Sequence, residues 1–171
     1  ATIIKEKKNV DKDLEKFIKA THTLGLEIIE QPLLVGKENE LATIDPHYRS
    51  ILVADESLKN SNSAINFTPS PQPFGIFNIK LMKCGGLLAA QEIATIAKAG
   101  DIDLFWGCND ESIVSITAAL HIAFASANTK YLDLDGSLDL AEDIVTGGFI
   151  LKDGLMSISD KPGLGVELMP R

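Results

Sequence analysis

The chain has 171 residues, 45% hydrophobic and 23% charged, which is enough for one sizeable core. Its 16 Lys and Arg against 24 Asp and Glu leave a net charge of −8. With no basic stripe or aromatic-interleaved run, nucleic acid is not an expected partner. No apolar stretch reaches membrane-helix length, no signal-like segment opens the sequence, and Cys84 and Cys108 lack metal-site spacing. The expectation is a reduced, cytoplasmic protein with no membrane partner.

Strand and helix signals alternate along the chain. Asp11 to Leu24 reads as an amphipathic helix stopped by Gly25, followed by an apolar run from Leu26 to Glu30 that breaks at Gln31-Pro32. Glu38 to Asp45 suggests a short helix, Ile51 to Asp55 a second strand, and Asn60 to Pro73 a loop with one helical turn. Phe77 to Met82 reads as a third strand, and Gly85-Gly86 opens a helix to about Lys98. Ile102 to Trp106 is a fourth strand, Asp110 to Ser126 a helix, and Tyr131 to Asp135 a fifth strand. From Gly147, two extended pieces, Gly148 to Lys152 and Leu155 to Ser159, are joined at Asp153-Gly154, and a Pro-Gly-rich end follows.

Near-continuous apolar strands separated by helices predict an α/β fold with a parallel sheet. A doubly wound sheet and a (β/α)8 barrel both satisfy that pattern. The strand ends favour the barrel, because Glu30, Asp55, Lys80 and Asp135 each close a different strand. Barrel enzymes keep their chemistry at that end. Strand alternation groups Ile28 with Glu30, Val53 with Asp55, Asn78 with Lys80 and Met82, and Asp133 with Asp135. Two carboxylates at neighbouring strand ends suit a hard cation such as Mg²⁺. A lysine one strand further on is placed to take a proton from carbon, and a bound metal would steady the ene-diolate that results.

Ile29-Glu30-Gln31-Pro32, Ala54-Asp55-Glu56-Ser57 and Asn78-Ile79-Lys80-Leu81-Met82-Lys83-Cys84-Gly85-Gly86 resemble the ends of strands four, five and six of enolase-superfamily barrels. Gly107-Cys108-Asn109-Asp110-Glu111-Ser112 is similar to the loop after strand seven. Tyr131-Leu132-Asp133-Leu134-Asp135-Gly136 is similar to strand eight of the dipeptide epimerase branch. The resemblance implies Mg²⁺-dependent epimerisation of dipeptides of the L-Ala-D/L-Glu type, by proton abstraction alpha to a carboxylate. It implies Glu30 and Asp55 as metal ligands, Lys80 as one of two acid/base lysines, and Asp133 and Asp135 as receivers of the substrate ammonium group. Asn109 and Glu111 match the substrate-side loop, although a carboxylate at a helix N-terminus is the ordinary explanation for Glu111. Asn78, Glu56 and Lys83 are supporting candidates. Alternation turns Glu56 away from Asp55, and Lys83, just after the strand, is expected at the rim, either as a charge neighbour for Lys80 or merely solvated. Trp106 and Cys108 read as barrel core, and His22, His47 and His121 as surface or packing residues.

The resemblance also sets expectations about what the sequence does not contain. A barrel of this kind takes about 250 residues, and the family adds a capping domain. This chain reads as an incomplete barrel corresponding to about strands three to eight, without that cap. Residues 1–10 hold an uncertain strand at Thr2 to Ile4, and residues 147–171 form a C-terminal extension. No carboxylate falls at Thr2 to Ile4, where the family places a third metal ligand; the nearest is Glu6. The second lysine motif is absent as well. A weakened Mg²⁺ site, low or no activity of the chain alone, and homo-oligomerisation through exposed sheet edges are therefore expected. The alternatives are a non-catalytic fragment, or another superfamily activity such as muconate cycloisomerase or o-succinylbenzoate synthase. Asp133 and Asp135 count against the latter two, whose substrates carry no ammonium group.

Overall fold

Leu52-Val53-Ala54 and Ile76-Phe77-Asn78-Ile79 carry apolar residues on both faces, which suits strands covered on both sides. In the computed structural model, which describes residues 10–170, these segments are the second and third strands of a five-stranded parallel sheet. The strands are β1 (Ile29–Glu30), β2 (Leu52–Ala54), β3 (Ile76–Ile79), β4 (Asp103–Trp106) and β5 (Thr129–Leu132), hydrogen-bonded in sequence order. A doubly wound sheet reverses its order at a switch point, whereas a barrel winds in one direction. The unbroken order therefore favours the barrel, and the sheet is part of a (β/α)8-type barrel wall.

Helices α1 (Val10–His22), α2 (Pro46–Arg49), α3 (Ser61–Phe67), α4 (Leu81–Cys84), α5 (Leu87–Ala99) and α6 (Ile113–Ala125) fall before and between these strands. The main core lies between the outer sheet face and the helices. Leu52, Ala54, Phe77, Ile79, Leu104 and Trp106 pack there with Ile93, Ala97, Ile116 and Leu120. The inner face carries a separate, smaller cluster of Val53, Ile76 and Phe105, with Ile28 and Tyr131 against it. These are the alternate residues of the same strands, as the two-residue period requires. No helix among the described residues is long and apolar enough to cross a membrane.

Several elements depart from the sequence expectations. The third strand stops at Ile79 rather than Met82, and Lys80 becomes the N-cap of α4. The amides of Lys83 and Cys84 both donate to the Lys80 carbonyl at 3.0 Å, and Gly85, at φ 101°, closes the turn. Met82 consequently points outward at 64% exposure instead of sharing a face with Asn78 and Lys80. The expected loop from Asn60 contains the seven-residue α3, because Asn60 Oδ1 accepts from the Ser63 amide and caps it. In the C-terminal extension, β7 (Ile150–Lys152) and β8 (Leu155–Ser157) pair antiparallel. Asp153 and Gly154 both take positive φ between them, as a tight hairpin of this twist demands. A second ribbon, β6 (Val145–Gly147) with β9 (Val166–Leu168), has no counterpart in the sequence reading. The expected strand at Thr2 to Ile4, and Glu6, lie outside the described residues.

Phe77 is fully enclosed between the sheet and the helices. Phe77→Ala is expected to cost about 3–5 kcal/mol, read as a lowered urea midpoint at an unchanged slope.

Candidate active site

The parallel register carries one charged residue to the same edge from each of several strands. Glu30 closes β1, Asp55 follows β2 and Lys80 follows β3. Lys80 Nζ lies 2.9 Å from Asp55 Oδ2, with both side chains largely enclosed. Lys83, on the first turn of α4, bonds the other carboxylate oxygen of Asp55. It also donates to the carbonyls of Asp55 at 2.7 Å and Asn78 at 3.1 Å. Lys83 is therefore not at the rim. A helical turn brings positions i and i+3 onto one side, so Lys80 and Lys83 converge on the same carboxylate. Asn78, 1% exposed, donates its Nδ2 to Glu30 Oε1, and its Oδ1 has no hydrogen-bond partner.

These contacts shift the acidities. Burial pushes the Asp55 carboxyl up, but hydrogen bonds and charge from Lys83 and Lys80 outweigh it and hold Asp55 below the usual aspartate value. Glu30 goes the other way. Burial raises it, Asn78 pulls it down, and repulsion from Asp55 leaves it above the usual glutamate value. Burial also lowers Lys80, yet the hydrogen bond and charge of Asp55 leave it raised. For Lys83 burial prevails and the ammonium is lowered.

On the far side of the mouth, the amide of Asp133 bonds the Trp106 carbonyl at 2.9 Å and continues β5 past its last paired residue. Asp133 is raised by burial and by Asp135, and the charge of Lys80 offsets part of that rise, so the acidic pair and the lysine share one electrostatic field. Cys108 lies beneath them, with its Sγ against the Asp133 carbonyl at 3.2 Å. Glu111 is turned inward. Its oxygens accept from the Asn109 amide at 2.9 Å and from the Ser115 hydroxyl, and it is 5% exposed. It thus brackets the start of α6. Asn109 and Glu56 are exposed, and the charge of Glu56 acts on Lys80 and Lys83.

The family described as Enolase C-terminal domain-like matches residues 9–171. This chain belongs to that family. A relative in Desulforapulum autotrophicum, an L-Lys-D/L-Arg epimerase, is 54% identical over 155 residues, which is 91% of this chain and 44% of the relative. An L-Ala-D/L-Glu epimerase of Clostridium acetobutylicum is 33% identical over 144 residues, covering 84% of this chain and 40% of that protein. The crystal structure of a dipeptide epimerase from Methylococcus capsulatus, complexed with Mg and the dipeptide L-Arg-D-Lys, superposes with a TM-score of 0.89 at 49% identity. The match covers 91% of this chain and 44% of that one. The chain thus spans less than half the length of the relatives it matches.

Within this enolase-type domain, two residues escaped the sequence reading. Gln31, buried and at φ 40°, donates its Nε2 to the Leu33 carbonyl at 2.7 Å and to Ser57 Oγ at 2.8 Å. Its Oε1 accepts from the amides of Asp55 at 3.0 Å and Ser57 at 3.1 Å. One amide side chain therefore fastens the end of β1 to the end of β2. Its signal was the Gln-Pro step directly after Glu30, which marks a strand end without revealing the partners. Gly107 ends β4 where any side chain would collide with Asn78 and Lys80, since an added Cβ would sit 2.5 Å from Asn78 Oδ1. Among the described residues no group of three or more His, Cys, Asp or Glu side chains is placed to hold a metal. Glu30 and Asp55 form a pair of oxygen donors whose mutual repulsion a cation would relieve, and to that extent they fit Mg²⁺.

The raised Glu30 carboxyl means that ionising it opposes folding. Glu30→Gln is expected to raise the thermal midpoint of the metal-free chain at neutral pH. The gain should shrink as pH falls through the raised Glu30 value and vanish below the ordinary 4.5. Paired thermal melts from pH 3 to 8 measure it.

Proposed function

We propose that this chain supplies the barrel portion of a Mg²⁺-dependent dipeptide epimerase acting alpha to a carboxylate, with dipeptides bearing cationic side chains as the preferred substrates. The observation that carries the reading is the placement of Lys80 beside Asp55 and Glu30, across the mouth from Asp133 and Asp135. Glu30 and Asp55 would hold the cation, weakly, as a pair of carboxylates. A bound divalent cation would neutralise charge developing on the substrate carboxylate as the α-proton leaves. Lys80 accepts or returns that proton from one face. Asp133 and Asp135 receive the substrate ammonium, for which two exposed carboxylates on one strand end form an anionic seat.

The cationic preference is supported by the identity gradient, 54% to the L-Lys-D/L-Arg epimerase against 33% to the L-Ala-D/L-Glu enzyme. Charge supports it as well. Glu30, Glu56, Asp133 and Asp135 surround a mouth whose two ammonium groups are already engaged by Asp55. A substrate glutamate side chain would meet like charge there. The muconate cycloisomerase and o-succinylbenzoate synthase alternatives give the Asp133–Asp135 pair nothing to bind.

The test is proton NMR in D₂O with Mg²⁺ and both antipodes, L-Lys-L-Arg and L-Lys-D-Arg. With Lys80 serving one face, deuterium should enter the α-carbon of one antipode without rapid net epimerisation, and Lys80→Met should slow exchange at least about 100-fold. Exchange in neither antipode, together with no Mg²⁺-dependent dipeptide binding by calorimetry, would remove the reading. So would exchange that survives Lys80→Met.

A further inference from the structure

The two ammonium groups on Asp55 are not held alike. Lys83 Nζ has acceptors from two strand ends: an Asp55 carboxylate oxygen and the carbonyls of Asp55 and Asn78. Losing the carboxylate would still leave it two backbone oxygens. Among the described residues, Lys80 Nζ is held by Asp55 Oδ2 alone. Beside Lys80 lies an acceptor without a donor, the buried Asn78 Oδ1. A Cβ on Gly107 would lie 2.5 Å from that oxygen and 3.0 Å from Lys80 Cε, so the oxygen and the lysine chain both lie against the bare backbone of Gly107. A buried acceptor left unpaired is costly, and a nearby mobile donor is the natural remedy.

We propose that Lys80 has two stations, Asp55 Oδ2 and Asn78 Oδ1, and that a divalent cation arriving at Asp55 moves it from the first to the second. The proposal rests on the reading of Glu30 and Asp55 as the cation-holding pair. The physical argument is competition. An ammonium and a metal compete for Asp55 Oδ2, because the two cations repel each other at that range. Moving to Asn78 Oδ1 satisfies the orphaned acceptor and keeps the lysine at the mouth. Lys83 stays in place as the fixed cation, because its carbonyl partners do not depend on the Asp55 charge. Gly107 lets the Lys80 chain lie this close to Asn78, since a methyl there would press on both. Cation binding and the position of the proton-transferring lysine are thereby one equilibrium, and each state of the lysine has an acceptor waiting.

Calorimetric titration of the 171-residue chain with Mg²⁺ tests this. Removing the competitor with Lys80→Met should tighten Mg²⁺ binding about fivefold or more. The control Lys98→Met makes the same change in net charge at an exposed lysine at the end of α5. It should leave binding within about twofold, because screened charge at a distance counts for little. Asp55→Asn should abolish binding. Asn78→Ala, which removes the second station, should weaken binding, and the weakening should be smaller in the Lys80→Met background, where no ammonium needs that oxygen. Circular dichroism spectra confirm that each variant is folded, and Lys80→Gln repeats the test if Lys80→Met is not.

If Lys80→Met binds Mg²⁺ no tighter than the parent while Asp55→Asn still abolishes binding, the competition is overturned and the metal reading stands. If the Asn78→Ala weakening is as large without Lys80 as with it, the second station is overturned. If neither the parent nor Lys80→Met binds Mg²⁺, or if Asp55→Asn leaves binding unchanged, the metal reading falls and the proposal falls with it.

Discussion

The site is organised around one carboxylate. Asp55 sits past the end of a central strand with an ammonium on each oxygen, and almost every other feature of the mouth is arranged to keep it there. Gln31 grips its backbone amide from the neighbouring strand, Lys83 grips its carbonyl from the next, and Gly107 gives the Asn78 amide and the Lys80 chain room to lie alongside. The arrangement is electrostatically asymmetric. Asp55 is over-supplied with positive charge and held below its usual value, while Glu30, one strand away, carries the uncompensated negative charge and rises. Two carboxylates of one donor pair thus meet opposite environments, which is the condition for a site that exchanges one cation for another.

Much of this was readable from residue order. The strands are short and apolar, the period-two rule assigns their faces, and Glu30, Asp55 and Lys80 fall where those rules put them. Lys83 was legible only in part: a charge neighbour for Lys80 was one reading and a solvated rim position the other, and the enclosed position was missed. Continued as a strand, the segment would turn residues 80 and 83 to opposite faces. The chain instead turns helical at Lys80, and three residues of helix bring the two lysines together. Nothing in the local apolar pattern distinguishes these cases, because Leu81 and Met82 suit either state. The change is announced only by Gly85, whose positive φ ends the turn. Gln31 was hidden for a different reason. A polar residue after a strand end is commonplace, and three of its four hydrogen bonds join segments 24 and 26 residues apart in the sequence. Glu111 matched a substrate-side loop by resemblance, and it also has the donors expected of a carboxylate at a helix start, the Asn109 amide and the Ser115 hydroxyl.

The relation to longer relatives bears on how the molecule is built. The main core between sheet and helices is continuous through the described residues and includes Phe149, Met156 and Leu164 of the C-terminal extension at its margin. The inner cluster is much smaller, three buried residues with two partners. Stability and chemistry are therefore drawn from opposite faces of the same strands. The outer face holds the sheet together, and the inner face and its rim hold the charged groups.

The pairing of β4 with β5 slips by one residue between Leu104 and Phe105, so that Thr129 answers the first and Tyr131 the second. Lys130 is the supernumerary position. Everything downstream inherits its parity from that slip: Tyr131 enters the inner cluster, and Asp133 follows it toward the mouth. Were the ladder regular, with Lys130 opposite Phe105 and Tyr131 opposite Trp106, the side-chain phase would invert. Leu132 and Leu134 would then line the rim and the aspartates would turn outward. The acidic character of that wall is thus fixed by an irregularity at the base of the strand, remote from the carboxylates themselves.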